Sequence, residues 1–442
     1  MAKGWKRVCG HITLGALLLN ACQPTPKTEP VVIKAREPLT PASIAETNAP
    51  YEAPAFVEET STAPGGLTIS IQAPVTIPEG AGFPVAVLNR RPVTNQEAAD
   101  ILYALGDWRE IYPAPTGYSK KELEALLLRM EQEGRPESYS EEEFNRIQQG
   151  LMEALKTAPE AIEKAALNPY DWVEQEEPLP PLALEDSAGG TYRLRLSDGD
   201  LFFSKENTSV QQRSFMEAPF PLEALTITAQ EAAAQGEALL TALGVGDMAL
   251  AYAEPARLLE STLEVFAPSC VSYGYWLCYM REMQGLATPY IGRGVGGRIG
   301  YAPDYAAPWR QERIDVYIDG AGVEFLTIIS RCGVQEILAQ NARLLPFDAI
   351  VERILDQLRY KHVWNQGAEP PLLQVYEIRL GLSIIRIPNL QDGVYLMPTW
   401  YVFYWCIQED AAREDVIALS GLDGSCVEPR IPTAVLSQIS KG

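Results

Sequence analysis

Apolar residues recur along this chain with two periods, and the switches between them mark its elements. Leu67, Ile69 and Ile71 alternate with Thr68, Ser70 and Gln72, so ordered structure is expected to begin at Leu67 with a half-buried strand. A second short strand is expected over 84–88. The period then becomes helical after Thr94, Ser119 and Ser140, each followed three residues on by Glu97, Glu122 and Glu143. In such a capping box the hydroxyl accepts from a backbone N–H of the first turn while the carboxylate reaches back to the cap N–H. Leu123, Leu126, Leu127 and Met130 supply one apolar helical face. Past a Pro- and Glu-rich stretch at 174–181, two apolar runs, Tyr192–Leu196 and Leu201–Phe203, flank Asp198-Gly199, a pair suited to a tight hairpin turn.

The second half of the chain reads as a duplication. A fourth capping box, Thr228 with Glu231, starts a helix to about Leu243, with Gly244 as its left-handed cap. Strands are expected at 249–259, 271–280 and 313–318, then a turn at Asp319-Gly320 and a strand at 323–329. A helix at 346–360 opens the second copy, followed by strands at 373–387, 395–405 and 415–419, a turn at Asp423-Gly424 and a last strand at Cys426. Ile314, Val316 and Ile318 alternate with Asp315 and Tyr317, as in a sheet with one wet face.

The N-terminus follows neither period. Lys3, Lys6 and Arg7 precede a short apolar run from Ile12 to Leu19, and Leu19-Asn20-Ala21-Cys22 places a small residue before a cysteine. This pattern reads as a lipoprotein signal peptide over 1–21, cut before Cys22, whose sulfur then carries fatty-acyl chains such as palmitate. The apolar run is too short to span a bilayer, and no later stretch reaches the roughly 18 apolar residues that would. Residues 22–66 carry Pro24, Pro26, Pro30, Pro38, Pro41, Pro50, Pro54 and Pro64 among Thr, Ala and Glu, and are expected to be a disordered, extended tether.

The full chain of 442 residues has a formal charge of −22, and loss of Lys3, Lys6 and Arg7 makes it more negative. Such a surface repels phosphates, which excludes nucleic acid as an expected partner and leaves the acyl anchor as the expected membrane contact. Five cysteines remain beyond Cys9 and Cys22. Cys270, Cys278, Cys332, Cys406 and Cys426 are candidate disulfide partners outside the cytoplasm, with connectivity open. Cys270 and Cys278 fall on one expected strand, too far apart to bond unless the chain folds back at Gly274.

Candidate chemistry is sparse. Gly292, Gly294 and Gly297 satisfy GxGxxG, but Gly300-Tyr301-Ala302-Pro303 cannot begin the helix that a phosphate site needs. His362 is the sole histidine expected in the mature chain, placed where a helix dipole favours it. No GxSxG, HExxH or Walker motif occurs, so no catalytic residue, cofactor or metal is expected. Trp400, Tyr401, Phe403 and Trp405 make an aromatic strand with a candidate binding face, although alternation would bury both sides.

Across most of its length the chain resembles an uncharacterised family of lipoproteins from clostridia and related Gram-positive gut bacteria. The motifs are Leu67-Thr-Ile-Ser-Ile71 with Val75-Thr-Ile-Pro78, Tyr118-Ser-Lys-Lys-Glu122, Ala307-Pro-Trp309, Arg313 to Val323, Leu345 to Ile350, Ile378 to Leu382, Leu396 to Trp400, and Gly421 to Ser425. Cys406 and Cys426 are departures from it. The C-terminal repeat also resembles PepSY modules and the extracytoplasmic YycH and YycI proteins, which restrain a sensor kinase. The resemblance implies an α+β fold: an N-terminal α+β region with a small sheet at 67–181, a hairpin and linker at 182–225, and tandem PepSY-like units at 226–345 and 346–442. The expected function is that of a lipid-anchored, extracytoplasmic, non-enzymatic interaction or regulatory protein with an envelope protein as partner. A binding module for peptide, glycan or small solute is the second class, and an envelope hydrolase the third.

Overall fold

In the computed structural model all four capping boxes start helices: α1 (Asn95–Leu105), α2 (Lys120–Glu133), α3 (Glu141–Leu155) and α4 (Ala229–Ala242). A fifth, α5 (Phe347–Lys361), follows Pro346. The structure describes residues 39–427 apart from 64, 116, 136–139, 162–163, 176, 217, 261–268, 292–311, 363–369, 387–392 and 409–410. The signal segment, Cys22 and the Gly292–Gly297 motif therefore lie outside the described residues. The fold is mixed α+β and mostly strand, arranged as two sheets.

The first sheet has the order β1 (Phe56–Thr62), β2 (Thr68–Thr76), β15 (Leu372–Arg386), β16 (Gly393–Gln408), β3 (Val85–Arg90), β14 (Cys332–Ala339). Its long strand β16 pairs with β3 through 393–396 and with β17 (Ala411–Ser420) through 399–408. Helix α5 lies over one face, where Phe347, Ile350, Ile354 and Leu358 meet Ile69, Ile71, Val375, Ile378, Trp400 and Val402. The second sheet runs β4 (Trp108–Pro113), β5 (Leu182–Asp186), β6 (Thr191–Ser197), β7 (Asp200–Lys205), β13 (Gly322–Ile329), β12 (Arg313–Asp319), β10 (Ser269–Met283), β9 (Met248–Glu260), β8 (Thr208–Gln212), with β11 (Leu286–Ala287) beside β10. Helices α1 and α4 pack on it through Ala98, Ile101, Leu102, Ala232, Leu239 and Leu240. Gly236 of α4 lets the helix approach β10 closely, since a Cβ there would sit 2.1 Å from the Tyr279 hydroxyl and force that buried ring to move.

Local turn chemistry performs as expected in several places. Asp198 and Gly199 both take positive φ, 54° and 79°, and join β6 to β7. Gly244 caps α4 at φ 64°. The β12–β13 turn falls at Gly320-Ala321, one residue later than expected, with Asp319 paired to Gly322. Where a last strand was expected, Cys426 forms a single bridge to Leu419 among the described residues.

The linear division of the chain does not hold, because strands pair across it. β2 and β3, expected in an N-terminal region with its own small sheet, join β15 and β16 near the other end of the chain. β6 and β7, the expected hairpin, together with β4 and β5, which were not expected as strands, complete the sheet that β12 and β13 begin. Residues 93–329 are thus an inserted domain, and 39–91 with 331–427 form the domain that holds it. The chain leaves at Arg90 and returns at Cys332 directly opposite, and the Arg91 N–H donates to the Arg331 carbonyl at 2.8 Å.

The tether expectation also changes from Leu39 onward. The Leu39 N–H donates to the Tyr395 hydroxyl at 2.6 Å, Glu46 bridges Ala342, and β1 pairs with β2 through seven residues. Prolines and polar residues cannot make a core, but they can lie along the edge of one that other residues build.

A second connection joins the domains. β10 turns at Gln284 and Gly285, φ 56° and 77°, and carries Leu286, fully buried, into the core of the outer domain. The Gly82 N–H donates to the Gln284 carbonyl at 3.0 Å, and a Cβ on Gly381 would lie 2.8 Å from the Ala287 carbonyl oxygen. Leu286→Ala is expected to cost about 2–5 kcal/mol. Because one domain supplies this residue to the other's core, denaturant unfolding followed by circular dichroism and by tryptophan fluorescence should keep one shared transition at a lower midpoint. An unchanged midpoint would refute the plug.

Candidate functional site at the domain junction

Charged groups gather where the two domains meet. Arg281 ends the buried stretch Trp276–Met280 of β10 and is 2% exposed. Its Nε and Nη2 donate to the two oxygens of Glu312 at 2.8 and 2.6 Å, a bidentate pair, and its Nη1 reaches Asp247. The Arg281 Nη2 also donates to the Cys332 carbonyl at 2.7 Å, and Glu312 Oε1 accepts from the Cys332 N–H at 2.7 Å. One ion pair therefore grips both backbone groups of the first residue of β14, where the chain re-enters the outer domain. Burial opposes the Arg281 charge, but the bonds to Glu312 and the nearby Asp247 carboxylate hold it protonated, above its ordinary range.

The other strand of the neck is held by a helix cap. Glu97 closes the Thr94 capping box, its Oε2 accepting from the Thr94 N–H at 3.0 Å, and its Oε1 accepts from Arg91 and Arg331 at 2.8 Å each. Burial works against the Glu97 charge, and the Thr94 N–H with the two arginines overcomes it, so the carboxyl titrates below its usual range. Asp200 accepts from the Ser330 N–H at 2.7 Å and lies 3.8 Å from Arg90. Beside these groups is a small cleft lined by Val245, Asp247, Met248, Glu312, Arg313, Ile314, Ile328, Ile329 and Arg331. A local signal for this site existed in the sequence, namely an arginine closing an otherwise apolar strand, but its partners are distant in sequence.

The residues singled out from sequence fall elsewhere. Trp400 is fully buried under α5, against Phe347 at 5.2 Å and Tyr51 at 5.9 Å between ring centroids. Tyr401 and Phe403 point to the opposite side of β16 and pack with Val416, Ala418 and Val427. Trp405, 37% exposed, lies beside Tyr376. The aromatic strand is thus core on both sides, as its alternation implies, and only Trp405 is left on the surface as part of the candidate binding face.

All five described cysteines are thiols. Cys270 and Cys278 lie on one strand that passes through Gly274 without folding back, paired with β9 on both sides of it. The Cys426 sulfur accepts from Gln357 at 3.4 Å, and the Cys332 thiol donates to the Ser330 carbonyl at 3.3 Å.

His362 follows α5 and shares a 2.9 Å hydrogen bond with the Tyr404 hydroxyl. Beside it Lys361 pairs with Asp415 at 3.2 Å and donates to the Val416 carbonyl, while Arg413 pairs with the same Asp415 at 3.3 Å. Burial first, then Lys361, lowers the His362 pKa to about 4. No group of three or more metal-ligating side chains occurs among the described residues.

No family model and no curated protein matches the chain. Among solved structures it is similar to an uncharacterised protein from Eubacterium rectale, with TM-score 0.43 and 11% identity over 86% of this chain and 94% of that one. It is also similar to the YpeB C-terminal domain of Bacillus megaterium, with TM-score 0.25 and 8% identity over 56% of this chain and 80% of that one. Both likenesses are distant.

Two outcomes follow from this geometry. Arg281→Met is expected to cost about 3–5 kcal/mol by leaving Glu312 buried and unpaired. In a double-mutant cycle with Glu312→Leu, the pair should cost less than the two single changes added; strict additivity would show that the two groups act independently. The histidine sets a pH dependence. An unfolded histidine titrates near pH 6.5 and the folded one near 4, so between those values the unfolded chain binds more protons. The stabilisation is complete above about pH 6.5 and is lost as pH falls toward 4, by about 2 kcal/mol between pH 7 and 5. His362→Gln should lose less stability than the wild type over that interval in parallel urea titrations, and equal losses would contradict the assignment.

Proposed function

We propose that this chain is a lipid-anchored extracytoplasmic protein that acts by binding an envelope protein, modulating an enzyme or sensor there. The observation that carries the anchor is the run of Lys3, Lys6 and Arg7, the short apolar stretch from Ile12 to Leu19, and Cys22 after Ala21. Two or more acyl chains hold a protein on a bilayer where one does not, each buried CH₂ contributing roughly 0.8 kcal/mol. No helix among the described residues is long and apolar enough to cross a membrane.

The binding role has separate support. The charged groups at the junction are engaged with backbone and with one another, which suits a mechanical role. A helix followed by an antiparallel run of strands recurs in both domains, as α4 with β9, β10, β12 and β13, and as α5 with β15, β16 and β17. That recurrence supports the PepSY-like reading of the repeat.

The anchor is tested with Cys22→Ser. Wild-type protein should stay with membranes through a high-salt wash and yield an acylated N-terminal cysteine by mass spectrometry, and the variant should be released. Retention of the variant would remove the anchor from the proposal. Crosslinking in intact cells followed by capture should recover an envelope protein, and repeated recovery of none would sink the binding role.

A further inference from the structure

The segment Leu39–Thr62 crosses the outer domain from one edge of its sheet to the other. At one end Leu39 meets Tyr395, the Thr47 N–H donates to the Asn341 carbonyl at 3.0 Å, and Glu46 Oε1 accepts from the Gln340 N–H at 2.6 Å. In the middle Tyr51 packs on Phe83 and Trp400 at 6.0 and 5.9 Å, and its hydroxyl donates to the Leu345 carbonyl at 2.7 Å. At the other end β1 runs antiparallel to β2 with no irregularity, from Phe56 opposite Pro74 to Thr62 opposite Thr68.

Burial is divided unequally between this strap and its seat. No residue from 39 to 62 is buried, whereas Ile69, Ile71, Ala73, Ala342 and Trp400 beneath it are at 0% exposure. A segment that covers a core without contributing a buried side chain sits at the low end of local stability, where opening precedes global unfolding. Its removal would leave β2 as an open strand edge, a template for another extended segment. The seat also keeps an unmet demand, since the indole N–H of Trp400 has no acceptor among the described residues. An occupant that brings an oxygen to it gains a bond the strap does not make.

We propose that the strap is a built-in competitor, and that its seat is a docking site for an extended segment of a partner protein carrying an aromatic side chain. The occupant's chemistry is read from what the seat already holds. The strap contains Glu46, Glu52, Glu58 and Glu59 but no lysine or arginine, and Arg359, which also pairs with Asp356 at 3.1 Å, donates to Ser61 at 2.7 Å, so the incoming segment needs hydrogen-bond acceptors and no basic residue. It adds antiparallel to β2 in place of β1 and sets an aromatic ring against Phe83 and Trp400 in place of Tyr51. This deepens the binding role proposed above, but it needs no lipid anchor.

The test uses the full chain in detergent micelles and, as probe, a fluorescein-labelled peptide with the sequence of residues 50–62. The Tyr51→Ala chain should bind this peptide at least tenfold more tightly than wild type, because its own strap competes less well. The same peptide with alanine at position 51 should bind at least tenfold more weakly. Hydrogen exchange of the unaltered chain gives a measurement independent of any variant: amides of 47 and 56–62 should exchange faster than those of β15 and β16. Exchange at the core rate, or no peptide binding to the loosened chain, would overturn the proposal. A dimer of the Tyr51→Ala chain that the peptide dissolves would also overturn it, by assigning the seat to the strap of a second copy. Since no membrane is involved, these outcomes are separate from those of Cys22→Ser.

Discussion

The architecture depends on one guanidinium. Arg281 comes from the inserted domain, and through Glu312 it fixes both backbone groups of Cys332, the residue at which the chain returns to the outer domain. Removing two charges from water costs several kcal/mol each, and their attraction offsets this only where geometry and further hydrogen bonds are good. Both conditions hold, with two parallel bonds in the pair and the remaining donors directed at Asp247 and a carbonyl. The pair specifies where the neck closes rather than adding a large net stability.

This clamp does not act alone. A few residues farther along the same hairpin, Leu286 enters the outer core and Gly381 makes room for its backbone. An insertion held by a two-strand neck alone would be free to swing. With a plug a short distance away, rotation about the neck requires withdrawing an apolar side chain from a packed core, and interiors yield in steps rather than continuously. The two domains are therefore joined at two places, the neck and the Leu286 plug.

Two segments cover the core rather than compose it. The strap at 39–62 is one, with half-buried residues resting on fully buried ones. The α2–α3 pair is built differently: α3 buries no residue, and Leu128 and Met152 are exposed on the two helices. Both pieces lie outside the two cores, and the ion pairs of the neck belong to the body beneath them.

Signals within a few residues were legible in the sequence. Thr94 with Glu97, Ser119 with Glu122, Ser140 with Glu143 and Thr228 with Glu231 each announced a helix because a cap is satisfied within one turn. Asp198-Gly199 announced its hairpin because a tight turn demands positive φ at two adjacent residues. Strands that rely on neighbours were not legible. β14, with Gly333, Gln335 and Glu336 among its apolar residues, lacks alternation and is bulged in two places, and β1 is polar throughout most of its length. Nor was it legible that β2 lies beside β15, that residues 93–329 are an insertion, or that Glu97 serves two arginines besides its cap. Periodicity states which face of a strand is apolar and leaves open what covers it or which strand lies alongside. Those choices belong to contacts between distant residues, whose loop-closure cost and packing gain exist only in the assembled fold. Composition and local pattern therefore determined the elements, while tertiary structure alone decided their partners and which buried charge ties them together.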